Sequence, residues 1–370
     1  MNFDTLFQIG TLYNIGMFLI ALIGLGFVIG FHEFGHFLFC KLFSIRTPTF
    51  SIGFGPKIWT KKIGETTFAL SAIPIGGYVE IAGQDEEEGK PAATPVSTDP
   101  HLFNNKPYWQ KLLVMLGGII FNIIFAFGAL SVVFMAGAPK SFFLFDQTAT
   151  AQVQEILPGS PAEQAGIQVN DRITSINGIA IDDTPASLKA YLPTLIENAG
   201  KTVTLELDRG GTPIFITVTL NSIESGKPLL GAGIYRALPP QNVITGVQSA
   251  WGTITSWTTQ IFSLLGSLFS SKSLKGVGGP IMLLSQTMQG SKDGVVAFLL
   301  ILAFISINLA VFNLLPLPVF DGGQVLMLTI EAITRRSLDV IRPIVGITSW
   351  VLIILLTIYL VIKDIICLCK

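Results

Sequence analysis

This chain of 370 residues holds only three histidines, His32, His36 and His101. Cysteine is equally scarce: Cys40, Cys367 and Cys369 are too few and too unevenly spaced for a disulfide framework or a four-cysteine metal site, and read as structural bystanders. Charge is thin as well. Only 13% of residues are Asp, Glu, Lys or Arg, the formal net charge is −1, and no basic stripe offers a surface for nucleic acid. The first fourteen residues contain Asp4 but no Lys or Arg, so a cleavable export signal is not expected and the first apolar run is expected to stay.

What fills the space is hydrocarbon. Half of the residues are hydrophobic and the mean hydropathy is +0.62, far from an average soluble domain. Four runs, 15–39, 112–136, 296–317 and 344–362, reach the roughly 20 apolar residues that cross a bilayer. A fifth run, 247–269, puts Trp251, Ile254, Trp257, Ile261, Leu264, Leu265 and Leu268 on one helical face and Ser, Thr and Gln on the other, the pattern of a helix lying in the interface. Lys41, Arg46, Lys57, Lys61, Lys62, Lys106 and Lys111 lie between the first two runs, and Arg335, Arg336 and Arg342 between the last two. Both loops are cytoplasmic by the positive-inside rule, which is possible with four spans and impossible if the fifth run also crosses. The expected fold is an α-helical polytopic membrane protein whose termini lie on the outer face. Its parts are a membrane portion 1–136, a soluble unit 147–245, an amphipathic helix 246–270 and a second membrane portion 271–370.

The soluble stretch reads VQEILPGSPAEQAGIQVNDRITSINGIAI, then a helix-like SLKAYLPTLIENAG, then two alternating runs. A short strand, a capped helix, a strand closing on Asn-Gly, a helix and a hairpin make a compact α+β unit. It resembles a PDZ domain, a fold that captures extended peptides as an added strand. Asn170 stands where that pattern usually has Gly before Asp171, and Asn tolerates the same left-handed backbone. Gly231 to Ile234 is similar to a carboxylate-binding loop, though two glycines also make a turn. The acidic run Asp85 to Glu88 reads as a solvated loop.

Two of the three histidines fall in HEFGH, residues 32–36, near the end of the first span. On a helix the i and i+4 imidazoles share a face and can hold one Zn²⁺, with Glu33 beside them to take a proton from water. Ionisable groups are costly at that depth and are functional by default. A hydrolytic zinc needs a third protein ligand and an open position. His101 sits in a polar loop; Asp321, in FNLLPLPVFDGGQ, is the better candidate, because Pro316 and Pro318 break the third span and Gly322-Gly323 let the chain turn. His32 lies seventeen residues into its span, about 25 Å down at 1.5 Å per residue, and Asp321 ends a span running the same way, so both are expected near the cytoplasmic leaflet.

These motifs come in a recognisable order: HEFGH, FSIGFG, IPIGGYV, GGIIFN, GGPIMLLSQ and NLLPLPVFDGG. Over nearly its whole length the chain resembles the site-2 protease family, closest to the bacterial branch typified by the regulator of sigma-E protease. The resemblance implies an intramembrane zinc protease of the bacterial inner membrane that cuts single-span substrates, such as anti-sigma factors already trimmed by another protease, and leftover signal peptides. It implies His32, His36 and Asp321 as ligands and Glu33 as base, and matches Asn122 and Asn313 to positions that handle substrate. One PDZ-like domain replaces the two of the best-known members.

An intramembrane protease must unwind its substrate to reach a peptide carbonyl. The loop 47–82 alternates apolar and polar residues and turns at Ile-Gly-Glu, which predicts a membrane re-entrant β-hairpin on the cytoplasmic side. Its edge is expected to pair with substrate, placing Gly53, Phe54, Gly55, Gly76 and Gly77 at the binding surface. Asn122 and Asn313 are expected to bond substrate backbone or an oxyanion, or else to bridge helices. An idle PDZ receptor would need neither Glu33 nor paired ligands, and a metal transporter would spread polar groups along a path rather than at one depth.

Overall fold

The computed structural model describes residues 3–84, 98–222, 229–271, 279–336, 338 and 341–368. The acidic run Asp85 to Glu88 and Cys369 lie outside them. In chain order the elements begin with α1 (Phe3–Leu42), β1 (Thr49–Ile63), β2 (Thr66–Val79) and α2 (Tyr108–Ala136). A middle set follows: α3 (Phe145–Thr148), β3 (Glu155–Ile156), α4 (Pro161–Gln164), β4 (Arg172–Ile176), β5 (Ile179–Ala180), α5 (Pro185–Glu197), β6 (Thr202–Arg209), β7 (Thr212–Thr219) and β8 (Ala232–Gly233). The last are α6 (Val243–Ser271), α7 (Pro280–Lys292), α8 (Val295–Asn313), α9 (Asp321–Thr334) and α10 (Ile341–Leu368). They form two compact units, Met1–Val133 with Val243–Asp364 and Phe134–Asn242 with Ile365–Lys370.

In the first unit, four of the described helices are long and apolar enough to cross a membrane: α1 over Tyr13–Leu42, α2, α8, and α10 over Ile344–Ile366. The protein is a multi-pass membrane protein. Between apolar helices in lipid there is no hydrophobic gain, so close packing needs small residues at the crossings. Gly35 of α1 lies against the backbone of Gly117 and Gly118 of α2, and Gly24 against Phe298 and Leu302 of α8. Asp364, buried near the end of α10, accepts the N–H groups of Gly279 (3.0 Å) and Met282 (2.9 Å) and so caps the start of α7.

Strands β1 and β2 form a denser structure than one hairpin. Trp59 to Ile63 pairs with Leu70 to Thr66, Thr49 to Ile52 also lies beside Thr67 to Leu70, and Phe50 to Ile52 faces Val79 to Gly77. Four segments thus stand side by side in the order 57–63, 66–71, 49–52 and 77–79. The glycines explain how the chain doubles back: Gly53, Gly55 and Gly76 have φ of 86°, 86° and 101°, and a Cβ at Gly53 would stand 2.6 Å from the Ile73 carbonyl oxygen.

Two expectations are corrected. The third span stops at Asn313 rather than 317, and Asp321 opens a new helix, α9. Gly322 and Gly323 are helical and do not turn the chain; they lack Cβ because the backbone of Leu314 and Leu317 folds directly onto them. The amphipathic helix α6 spans 29 residues and does not present one whole apolar face outward. Ile254, Trp257 and Ile261 are buried, Trp257 lying edge-on to Phe304 of α8 at 5.1 Å, whereas Trp251 is exposed.

The second unit holds a four-stranded sheet in the order β5-β4-β6-β7 and a short pair β3-β8. Val203, Leu205 and Leu207 alternate along β6 into a core with Val153, Ile173 and Ile176, each fully buried. Burying such side chains is worth about 1.5–3 kcal/mol apiece. Ser160 caps α4 ahead of Pro161, and Asn177-Gly178, both at positive φ, close β4 on β5. Asn170 has φ 76°, the left-handed geometry expected of it.

Candidate metal centre

Helix α1 carries HEFGH where it meets α2. His32 and His36, one turn apart, bring their Nε2 atoms to 3.2 Å. Asp321, the first residue of α9, places Oδ2 3.2 Å from His32 Nε2 and 3.5 Å from His36 Nε2. Two nitrogens and one carboxylate oxygen therefore face a single point from two elements 285 residues apart in sequence. Tetrahedral Zn²⁺, with Zn–N and Zn–O near 2.0–2.2 Å, requires ligand atoms about 3.3 Å apart, so the triangle has the right edges. Asp321 Oδ2 is enclosed and has no hydrogen-bond partner among the described residues. A buried polar atom without one costs about 1–3 kcal/mol, more for a charged group. A cation at the shared point removes that cost, so the donor set fits zinc.

The surroundings fix the rings. His36 Nδ1 donates to the carbonyl oxygen of Val114 in α2 at 2.8 Å, which leaves its Nε2 lone pair for the metal. His32 Nδ1 lies 3.0 Å from Asn122 Nδ2, and Asn122 is fully buried. Gly118 makes room for both imidazoles: a Cβ there would stand 2.5 Å from His36 Nε2 and 2.6 Å from His32 Nδ1. Val114, Gly35 and Gly118 were not expected as supports of the centre. A backbone carbonyl leaves no mark in a sequence, but the Gly117-Gly118 pair in a span is the usual sign of close approach.

Glu33 is half-buried beside the cluster; its carboxylate accepts the Val79 N–H of β2, and its Cγ lies 3.3 Å from where a Cβ on Gly77 would be. Asn313, the last residue of α8, has Nδ2 3.5 Å from His32 Nε2 and is half-buried. The five loop residues divide. Gly53, Gly76 and Gly77 are buried where the sheet segments cross, whereas Gly55 is exposed and Phe54, also exposed, stacks on Tyr78 at 6.3 Å. Asn122 faces His32 rather than an open surface. His101 bonds the Ser44 carbonyl in the loop.

The family model described as Peptidase family M50 matches residues 20–357. The chain is 32% identical over 349 residues to a Clostridium perfringens protein whose name describes a zinc metalloprotease, covering 94% of this chain and 97% of the relative. Similarly named proteins of Clostridium acetobutylicum and Synechocystis are each 30% identical, covering 94% and 93% of this chain and 96% and 93% of theirs.

Proposed function

The chain belongs to peptidase family M50 and is a zinc metalloprotease, and from this we propose that it cleaves single-span membrane proteins within the bilayer of a bacterial cytoplasmic membrane. One observation carries the reading: His32, His36 and Asp321 converge within 3.5 Å in a unit whose helices are long and apolar enough to span a membrane. When bound, zinc supplies a Lewis acid that polarises a carbonyl and acidifies water. Glu33, held by the Val79 N–H, takes the proton of the attacking water and returns it to the leaving amine. Asn313 offers an amide N–H₂ beside the same point, suited to the peptide oxygen on which charge develops.

The sheet of β1 and β2 is a membrane re-entrant element whose segment 77–79 touches Glu33, and an unwound substrate adds along it as a further strand. The second unit, read as PDZ-like, admits substrates already shortened by another protease, of the anti-sigma-factor kind. With the two basic loops inside, the centre faces the cytoplasmic leaflet and both termini and the second unit lie outside.

The test is cleavage of a trimmed and an untrimmed single-span substrate in vesicles, with zinc measured on the same samples. Wild type should hold one zinc per chain and cut the trimmed form alone. Glu33→Gln should keep zinc and lose cleavage by about 10²–10⁴-fold. Ile75→Pro, which removes a backbone donor from the proposed substrate edge, should also keep zinc and stop cleavage. Zinc-free wild type, or unimpaired Glu33→Gln, would end the reading.

A further inference from the structure

We propose that Asn122 is a positioning residue for the metal: its side-chain oxygen accepts the Nδ1–H of His32 and so holds that ring with its Nε2 lone pair toward the ion. This rests on the metalloprotease reading of the site and assigns Asn122 a role other than touching substrate.

The argument starts from the ring. Nε2 of His32 faces His36 Nε2 at 3.2 Å and Asp321 Oδ2 at 3.2 Å, so when it donates its lone pair to a metal its single proton sits on Nδ1. His36 has the same need and meets it with the Val114 carbonyl. On the Nδ1 side of His32 stands Asn122, with Nδ2 at 3.0 Å and an oxygen, Oδ1, that is buried and has no partner among the described residues. The two ends of an amide exchange by a half-turn about its last bond. Turned over, the unpartnered oxygen lies on the Nδ1–H, and the ring is locked in the ligating tautomer.

The amide is held for this task. Asn122 is 0% exposed, which leaves no access for a substrate backbone. Its own carbonyl accepts the hydroxyl of Ser306, a buried residue of α8, at 2.9 Å, so α1, α2 and α8 are joined by two polar bonds through this one residue. Asn313, by contrast, is half-buried and lies on the Nε2 side, where an incoming carbonyl belongs.

The test reads metal affinity without any substrate. The full chain in detergent is stripped with a chelator, then Zn²⁺ is titrated against a chromophoric competitor and Co²⁺ absorption bands are recorded. Asn122→Leu keeps the shape and removes the acceptor; it should weaken Zn²⁺ binding by about 10–100-fold and shift the Co²⁺ bands. Asn122→Asp keeps an acceptor and should bind within about threefold of wild type or tighter, with native bands. Native affinity in Asn122→Leu overturns the proposal, as does Asn122→Asp binding as weakly as Asn122→Leu. Should Asn122→Leu fail to fold, Asn122→Asp decides alone: native affinity supports the role, and a tenfold loss or more removes it. Wild type and His32→Ala are the arms for the site itself. If wild type takes up no zinc, or His32→Ala binds as tightly, the metalloprotease reading falls and this inference with it; if both behave as a metal site and Asn122→Leu is unaffected, only this inference falls.

Discussion

Each unit of the molecule encloses an aspartate, and the two are finished differently. Asp171, 1% exposed in the second unit, has every oxygen occupied: Arg209 donates from Nε to Oδ1 and from Nη2 to Oδ2, both at 2.7 Å, and the Gln168 N–H adds 2.8 Å to Oδ2. Asp321 in the first unit has an enclosed Oδ2 that meets two imidazole nitrogens at 3.2 and 3.5 Å without a hydrogen bond. A buried carboxylate with a complete set of donors is part of the scaffold. One left open, with two more lone-pair donors around the same point, belongs to a ligand. Asp364 shows that membrane depth is not the reason, since in the first unit its two oxygens are taken by the amides that start α7.

The sharpest way to break this contrast is Asp321→Ala. Loss of a ligand should remove tight zinc and, with it, several kcal/mol of stabilisation of the reacting carbonyl. At 1.36 kcal/mol per tenfold, that is a fall in cleavage of about 10³-fold or more. Chelation of wild type should match it and be reversed by added zinc. The metal-free variant should be no less resistant to unfolding than metal-free wild type, because the residue removed was an unpartnered charge. Metal occupancy and turnover that survive in Asp321→Ala would place the site elsewhere.

A smaller effect separates room for the ligands from the ligands themselves. Gly118→Ala inserts a methyl where both imidazoles stand, and a shift of about 1 Å in a reacting geometry costs on the order of 10²-fold in rate. Zinc affinity should fall alongside it. Gly128, ten residues along the same helix, has nothing within 4 Å of its missing Cβ, so Gly128→Ala should leave both properties unchanged. Equal behaviour of the two alanines, read by zinc titration and by cleavage of a single-span substrate, would show that the packing around the rings is looser than the geometry indicates.

How much of this was visible in the sequence depends on the distance over which each feature acts. HEFGH could be read because i and i+4 share a helical face, and the spans because their apolar runs match a bilayer's thickness. Asp321 could be reached by the need for a third ligand. The start of α9 at that residue could not: a Gly-Gly pair is a poor helix former and reads as a turn, and only the folded chain shows the backbone of Leu314 and Leu317 pressed against it. The sheet had the same difficulty. Alternation marked β1 and β2 as strands, but their doubled register depends on glycine crossings between residues some twenty apart in sequence. Trp257 and Ile261 had the right period and the wrong neighbour, because periodicity marks an apolar face and does not say whether lipid or α8 covers it. Asn122 stood out as a polar residue in a span, yet its partner lies ninety residues away in α1.

The contrast also predicts that the satisfied aspartate responds to pH through folding alone. The Arg209 guanidinium, helped by the Gln168 N–H, holds the Asp171 carboxyl below its ordinary range. A carboxyl depressed in the folded state contributes stability in full above its unfolded value, about 3.9, and loses it as pH falls from there toward the folded value. Hydrogen exchange in β4 and β6 of the full chain, corrected for intrinsic rates, should therefore show protection that is flat from pH 7 to 5 and declines below about pH 4. Asp171→Asn gives up bonds to a charged group worth roughly 1.5 kcal/mol, or about a tenfold loss of protection at pH 7, and it should flatten the acid decline because no titrating partner remains. Zinc content should not move. If Asp171→Asn instead lowers zinc occupancy while Asp321→Ala leaves it intact, open and closed donor sets have been assigned to the wrong roles.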